Sequence, residues 1–433
     1  MVEVFPFYGI IYNQEKIKKL DDVMSPPYDI ISEEKQNELY KKHNKNYVRL
    51  ILNKIEKLDN DKNNRYTRAK KLYERWLSDS TLIKSNKAAI FPYKINYKQG
   101  GINKTMNGFF VLLKIDPDYK LIKAHERTLS KPKEDRLNLL RACKSNLEPI
   151  QLLYIDEKDK IRKTIDKKIK TPLINVKAYD GFTHKIWKIE DNEVINFIQK
   201  ELKNNTLFIA DGHHRYQTSI NYANEMIKKT GNKNVFAPFN FIMVVLVNMY
   251  DEDLSILPTH RFVKKSDVDI NNCLTKLKKY FTVEVKKIDN KDLKILSKKI
   301  IEDIKTNDKH KFALYTKGKY FILTLNDEKT MDKFAPDRSK TWRTLDVSIL
   351  HKIVFEHTMG INQENLEDYI KYTRLTEEAI KYVNQGKYNF SVLMNATKIN
   401  ELKAIADSDE HMPQKSTYFL PKMLSGLVSY KME

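Results

Sequence analysis

Apolar residues recur along this chain in short runs whose period keeps changing. Asn64 to Ser78 carries Tyr66, Ala69, Leu72 and Trp76 at helical spacing, which predicts an amphipathic helix. Tyr47 to Leu52, Ala89 to Ile95, Gly108 to Ile115 and Pro149 to Tyr154 read as strands, because short apolar or alternating runs bounded by polar residues favour a pleated surface. Between the last two, the Pro-bearing stretch Ser130 to Glu134 leads into a predicted helix with Leu137 and Leu140 on its buried side. Leu207-Phe208-Ile209-Ala210 is a short apolar strand, and Tyr216, Ile220, Ala223 and Ile227 then fall on one helical face up to Lys229. A buried strand around Val244, a strand over Phe281 to Val285 and a hairpin with arms Phe312 to Thr316 and Tyr320 to Leu325 follow. From Leu345 onward the pattern is mostly helical, and no internal repeat is present.

This alternation predicts an α/β fold. At 433 residues the chain exceeds what a single growing core accommodates, so at least two packed units are expected. The pattern divides into 1–115, an α/β segment with the loop Pro26-Pro27-Tyr28-Asp29; 116–235, around the central strand and helix; and 236–433, an α+β segment expected to pack on the same site. Hydrophobic residues make up 41% and charged residues 31%, a globular and not a disordered balance. The longest apolar run, Phe241 to Val247, falls far short of the ~20 residues that cross a bilayer. The first residues, Met1-Val2-Glu3-Val4-Phe5, lack a basic-then-apolar signal pattern, so no membrane partner and a cytoplasmic location are expected. With only Cys143 and Cys273, no disulfide framework or four-thiolate zinc site can form.

The net charge of +21 raises the question of nucleic acid, whose phosphates attract Lys and Arg. Here the excess is mostly Lys spread over the whole chain, whereas base-edge recognition leans on Arg. No helix-turn-helix pattern is recognisable. A small anionic ligand benefits from the same field.

A turn over Asp211-Gly212-His213-His214-Arg215 must join the central strand to its helix. Such a turn aims the first amides of the helix, and the positive end of its dipole, at whatever lies in front of it. Gly212 permits close backbone approach, Arg215 can fork onto phosphate oxygens, and His213 and His214 add donors. The alternative is that Asp211 only caps the helix while the His pair packs locally.

This box resembles the phosphate-binding turn of the ParB/sulfiredoxin superfamily, and most closely its free-serine kinases, which share the DGHHR string. His125-Glu126-Arg127-Thr128, a helix, and Glu148-Pro149-Ile150 repeat the order of elements upstream of the box in those kinases. The separation of some 55 residues between the Pro-Ile strand and the box is wider than a minimal superfamily domain would use. Over its full length the chain resembles the bacterial and archaeal family called domain of unknown function 1015. That resemblance rests on Ser25-Pro26-Pro27-Tyr28-Asp29, His125-Glu126-Arg127-Thr128, Asp135-Arg136, the DGHHR box, Pro258-Thr259-His260-Arg261 and Met412 to Phe419.

The serine-kinase resemblance implies a ParB/sulfiredoxin-like phosphate-binding unit, ATP or ADP as donor and Mg2+ as its companion, with Asp211 the protein's contact to the metal. Glu126 takes the position of the catalytic base, and His125 and His214 complete the catalytic set. The implied activity is nucleotide-dependent phosphoryl transfer to a small hydroxylated metabolite, free serine or phosphoserine first. A non-catalytic ParB-like nucleotide switch and a phosphoester hydrolase are the alternatives. Sulfiredoxin chemistry is excluded because His213 stands where that reaction needs a Cys. Leu129 replaces the second His of a zincin, and Met412-Pro413-Gln414 has no Gly to form a Walker cradle.

Lys415, Ser416 and Thr417 offer an ammonium and two hydroxyls to a phosphate, or form a surface loop. Asp29, Arg49, His260 and Arg261 are candidates for substrate contact, each with a turn, ion-pair or surface role as the alternative. His351 lies in a predicted helix and reads as a core or interface residue.

Overall fold

The computed structural model describes residues 1–125, 130–264, 268–289, 292–306, 310–408 and 410–432. The fold is mixed α/β, and the chain divides into two units: residues 1–124, 128–255 and 419–433 form one, and residues 125–127 with 256–418 form the other. Among the described residues no helix is long and apolar enough to cross a membrane.

The alternating runs of the first unit make a nine-stranded sheet. Its strands are β1 (Val4–Phe5), β2 (Phe91–Gln99), β3 (Ile102–Lys114), β4 (Ile122–Lys123), β5 (Ile150–Tyr154), β6 (Ile174–Lys177), β7 (Thr183–Ile186), β8 (Leu207–Asp211) and β9 (Phe241–Asn248). Across the sheet the order is β4-β8-β5-β9-β3-β2-β7-β6, with β1 beside β3. Strand β9 runs parallel to β5 and antiparallel to β3, so that Val244 lies opposite both Ile150 and Val111. All its residues are buried, which is why the longest apolar run reads as continuous and not alternating.

The helices of this unit used below are α1 (Val48–Ile51), α2 (Arg65–Ser78), α3 (Ser130–Cys143), α4 (Asn192–Leu202) and α5 (His213–Thr230). Ile195 and Ile198 of α4 and Tyr216 and Ile220 of α5 pack on Ile150, Leu152 and Val244 of the sheet. Leu137 and Leu140 of α3 meet Tyr222 and Ala223 on another side of α5. Helix α2 begins with a capping box between Asn64 and Thr67, and its fully buried face is Ala69, Tyr73 and Trp76, with Leu72 only half-buried.

Tyr47 to Leu52, expected as a strand, contains helix α1 instead. The reason is Asn46, which is fully buried. Its side-chain oxygen accepts from Val48 N at 3.0 Å, and its amide donates to the carbonyls of Asp22 and Met24 at 2.8 and 3.0 Å. A satisfied Asn at a helix start outweighs the strand preference of the residues after it.

The second unit is built on a six-stranded sheet. Its strands are β10 (His260–Val263), β11 (Phe281–Lys287), β12 (Lys311–Thr316), β13 (Lys319–Leu325), β14 (Ile370–Thr373) and β15 (Phe390–Met394), in the order β11-β13-β12-β15-β10-β14. All these pairings are antiparallel. The expected hairpin is β12–β13, turning at Gly318 with φ 92°. Helices α6 (Leu293–Ile304) and α7 (Thr376–Asn384) cover one face, where Ile300, Ile304, Ile380 and Val383 pack on Ala313, Tyr315 and Ile322. After Leu345 the chain is mostly helical, as expected, but strands β14 and β15 interrupt it, because a five-residue apolar run such as Phe390–Met394 carries no period that separates strand from helix.

Candidate functional site

The strand-to-helix turn is tighter than its five-residue box. Strand β8 runs through Asp211, Gly212 alone makes the turn at φ 97°, and α5 begins at His213. Residues 213–215 are thus the first turn of the helix, whose amides have no intrahelical acceptor. Only glycine fits at 212: besides the left-handed backbone, a Cβ there would lie 2.6 Å from Ile150 Cγ2. Just before the turn, the ladder with β5 slips between Ile209–Leu152 and Asp211–Gln151. Such a bulge re-aims the side chain that follows it.

The side chain so aimed is Asp211. Its Oδ2 accepts from Arg215 Nη2 at 2.7 Å, and its Oδ1 accepts from Lys422 Nζ. Burial opposes its charge, but Lys422 and Arg215 together outweigh that cost and hold the carboxyl well below the usual range. Arg215 also donates to the carbonyl of Pro149. The guanidinium expected to fork onto phosphate is therefore a brace between the turn and the start of β5. His213 is buried beside Asp211, and His214 is half-buried, its carbonyl accepting from Thr218 Oγ1 at 2.7 Å.

A second carboxylate lies just upstream. Glu148 is buried, and its Oε1 accepts from Ser425 Oγ at 2.8 Å and from Tyr28 N at 3.2 Å. Its Oε2 is 3.5 Å from Arg136 Nη1. Burial raises its carboxyl above the ordinary value, opposed by Arg215 and Arg136. The guanidinium of Arg136 sits 3.9 Å from the Tyr28 ring centroid and pairs with Asp135, which also pairs with Arg65. Burial likewise pushes the Tyr28 hydroxyl up to about 12, against the pull of Arg136 and Arg215. Together, Arg65, Arg136, Arg215 and Lys422 face Asp135, Glu148 and Asp211, and Asp29 adds a fourth carboxylate near Arg215.

The other expected residues divide between the units. Asp29 is exposed, close enough to Tyr28 and Arg215 to act on the charge of both. Arg49 is turned inward, donating to Tyr40 O at 2.8 Å over the Tyr40 ring. In the second unit His125 is fully buried, its Nε2 2.8 Å from Thr417 Oγ1, and its carbonyl accepts from Met412 N at 2.7 Å. Ser416 donates to Pro413 O, while Lys415 is exposed at φ 57°. His260 is fully buried, accepting at Nδ1 from Met394 N, which leaves Nε2 to donate to Thr376 Oγ1 at 3.0 Å; burial lowers it to about 3. Arg261 is buried below it, donating to the carbonyls of Thr259 and Lys415. Glu126 lies outside the described residues.

Asp211, the expected magnesium contact, has both oxygens on cations, Arg215 and Lys422, and does not offer one to a metal. The residues that sequence reading missed are Lys422, Ser425 and the roles of Glu148 and Arg136. Glu148 and Arg136 stand inside strings already singled out, but nothing marks Lys422, whose partner is 211 residues away.

Several solved structures are similar to this chain at low identity. A free serine kinase in complex with AMP is 14% identical, with 73% of this chain and 88% of that one covered and a TM-score of 0.35. A mutant free serine kinase in complex with ADP is 15% identical over 72% and 87%, with a TM-score of 0.37. A conserved hypothetical protein from Pyrococcus furiosus is 14% identical over 72% and 90%, with a TM-score of 0.34. No curated protein matches. The family-level comparison covers far more than the turn: the model described as protein of unknown function (DUF1015) matches residues 4–348, and the chain belongs to that family.

Proposed function

We propose that the first unit binds the phosphates of a nucleotide, ATP or ADP, at the turn after β8, and that the protein transfers a phosphoryl group to a small hydroxylated metabolite, free serine being the first choice. The observation that carries this reading is the turn itself. A single left-handed glycine, packed so closely that no Cβ fits, opens a long helix whose first amides can cradle an anion. The identity of the DGHHR string with that of free-serine kinases adds the reaction class. In this reading Arg215 and Asp211 hold the turn rigid, and Lys422 and His214 flank the phosphates.

Transfer requires the acceptor oxygen to attack the terminal phosphorus as the bond to the nucleotide's bridging oxygen breaks, with the hydroxyl proton passing to a base. Glu126 is the proposed base, on the strength of the His125-Glu126 pair in the resemblance. Phosphorus NMR of the protein with ATP or ADP, magnesium and a panel of hydroxylated metabolites tests the proposal. A new phosphomonoester resonance with serine is expected. Inorganic phosphate alone would make the protein a hydrolase. Tight nucleotide binding with no new resonance would leave a binding switch.

A further inference from the structure

The loop Met412-Pro413-Gln414, which the proposed activity does not use, forms part of the wall of a cavity of about 150 Å3 wholly within the second unit. This volume is well below that of pockets for drug-sized ligands, so it suits a small metabolite and not a nucleotide. Its floor is apolar, with Ile361, Leu366 and Met412 all buried. Its rim carries both signs of charge. Arg338 lies 3.6 Å from Asp337 and 3.7 Å from Glu410, contacts too long for hydrogen bonds, and Lys352 lies 2.9 Å from Glu356.

One wall is a π-helix over Leu350–Thr358. Its i→i+5 pattern brings residues five apart onto one side, so that His351 and Glu356 line the same cavity. Such helices are rare and recur at functional sites. His351 Nε2 is a buried polar atom with no hydrogen-bond partner among the described residues. Burial and the nearby Arg261 hold its ring well below the ordinary imidazole range, and the nitrogen itself is closed off from the cavity.

We infer that this cavity binds a small zwitterion, an α-amino acid with an apolar side chain. Arg338 takes the carboxylate, Glu356 takes the ammonium, and the side chain covers Ile361, Leu366 and Met412. Rim charges of both signs argue against a simple anion such as phosphate, which would meet Glu356 and Asp337 as well as the cations. The inference does not rest on the phosphotransferase reading, and failure of that reading would leave its test untouched.

The test is calorimetric titration of the full chain with leucine, methionine and phenylalanine, with leucine analogues lacking either the amino or the carboxyl group, and with inorganic phosphate. At least one of the amino acids should bind saturably. Loss of either charge should weaken binding about tenfold or more, the scale of a charge-assisted hydrogen bond. Gln363→Trp, at an exposed position on the cavity edge, should block binding while circular dichroism and the melting temperature stay as in the wild type. Arg338→Ala should weaken it by a similar factor to removal of the carboxyl group. No saturable binding by any of the three amino acids, equal binding of the singly charged analogues, phosphate binding in their place, or undiminished binding to a folded Gln363→Trp would each overturn the inference.

Discussion

Asp211 keeps its charge in a buried place only because Lys422 and Arg215 outweigh the cost of removing it from water. Its ionisation in the folded protein lies below that of the unfolded chain, near 4 for an ordinary aspartate. The stability it contributes is therefore complete above about pH 4 and is lost as pH falls through the folded value. Asp211→Asn strips two buried cations of their partner and should cost about 3–5 kcal/mol at pH 7. Urea melts of both proteins at pH 7 and pH 3 should show that gap narrowing with acid, and a gap independent of pH would mean that the carboxylate charge is not what holds the turn. Glu126 carries the opposite kind of prediction, one about rate. Glu126→Gln keeps the shape of the side chain and removes its basicity, so serine phosphorylation should fall by ~10²–10⁴-fold while nucleotide affinity hardly changes. Turnover within a few-fold of wild type would place the base elsewhere, with Asp29 the next candidate.

The element that matters most is the junction of β8 and α5, where the ladder slips, one glycine turns and a helix starts. Gly212→Ala forces a left-handed non-glycine residue against Ile150. The strain should cost about 1–3 kcal/mol, and displacement of the first helical turn should weaken nucleotide binding more than the melting temperature alone predicts. Titration with AMP beside a thermal melt checks this, and unchanged affinity in a destabilised protein would show that the helix start is not the cradle. Much of this junction was legible in advance: an apolar tetrad, a Gly inside a polar pentad, and apolar residues at 216, 220, 223 and 227 allow little else. The slip in register was not, because a bulge is decided by the partner strand. Nor was helix α1, where buried Asn46 overrode a run of strand-forming residues.

At the scale of the whole molecule, a net charge of +21 surrounds any anion with an attractive field that salt screens over about 8–10 Å. Nucleotide association should therefore slow as ionic strength rises from low salt to about 0.15 M, with dissociation nearly constant, and stopped-flow traces at several salt concentrations measure it. An association rate indifferent to salt would mean that the spread of lysines does not steer the ligand. The sequence by itself determined the alternation of strands and helices, the hairpin around Gly318, the buried run through Val244 and the strand-to-helix turn at Gly212, because these follow from local period, turn residues and residue type. Only the tertiary structure decided that Arg215 is a brace, that Lys422 closes on Asp211 and that Glu148 sits buried among Arg136, Tyr28 and Ser425. Those pairings join segments far apart in the chain, and a buried ion pair leaves no period or spacing in sequence: it exists only where folding removes both partners from water together.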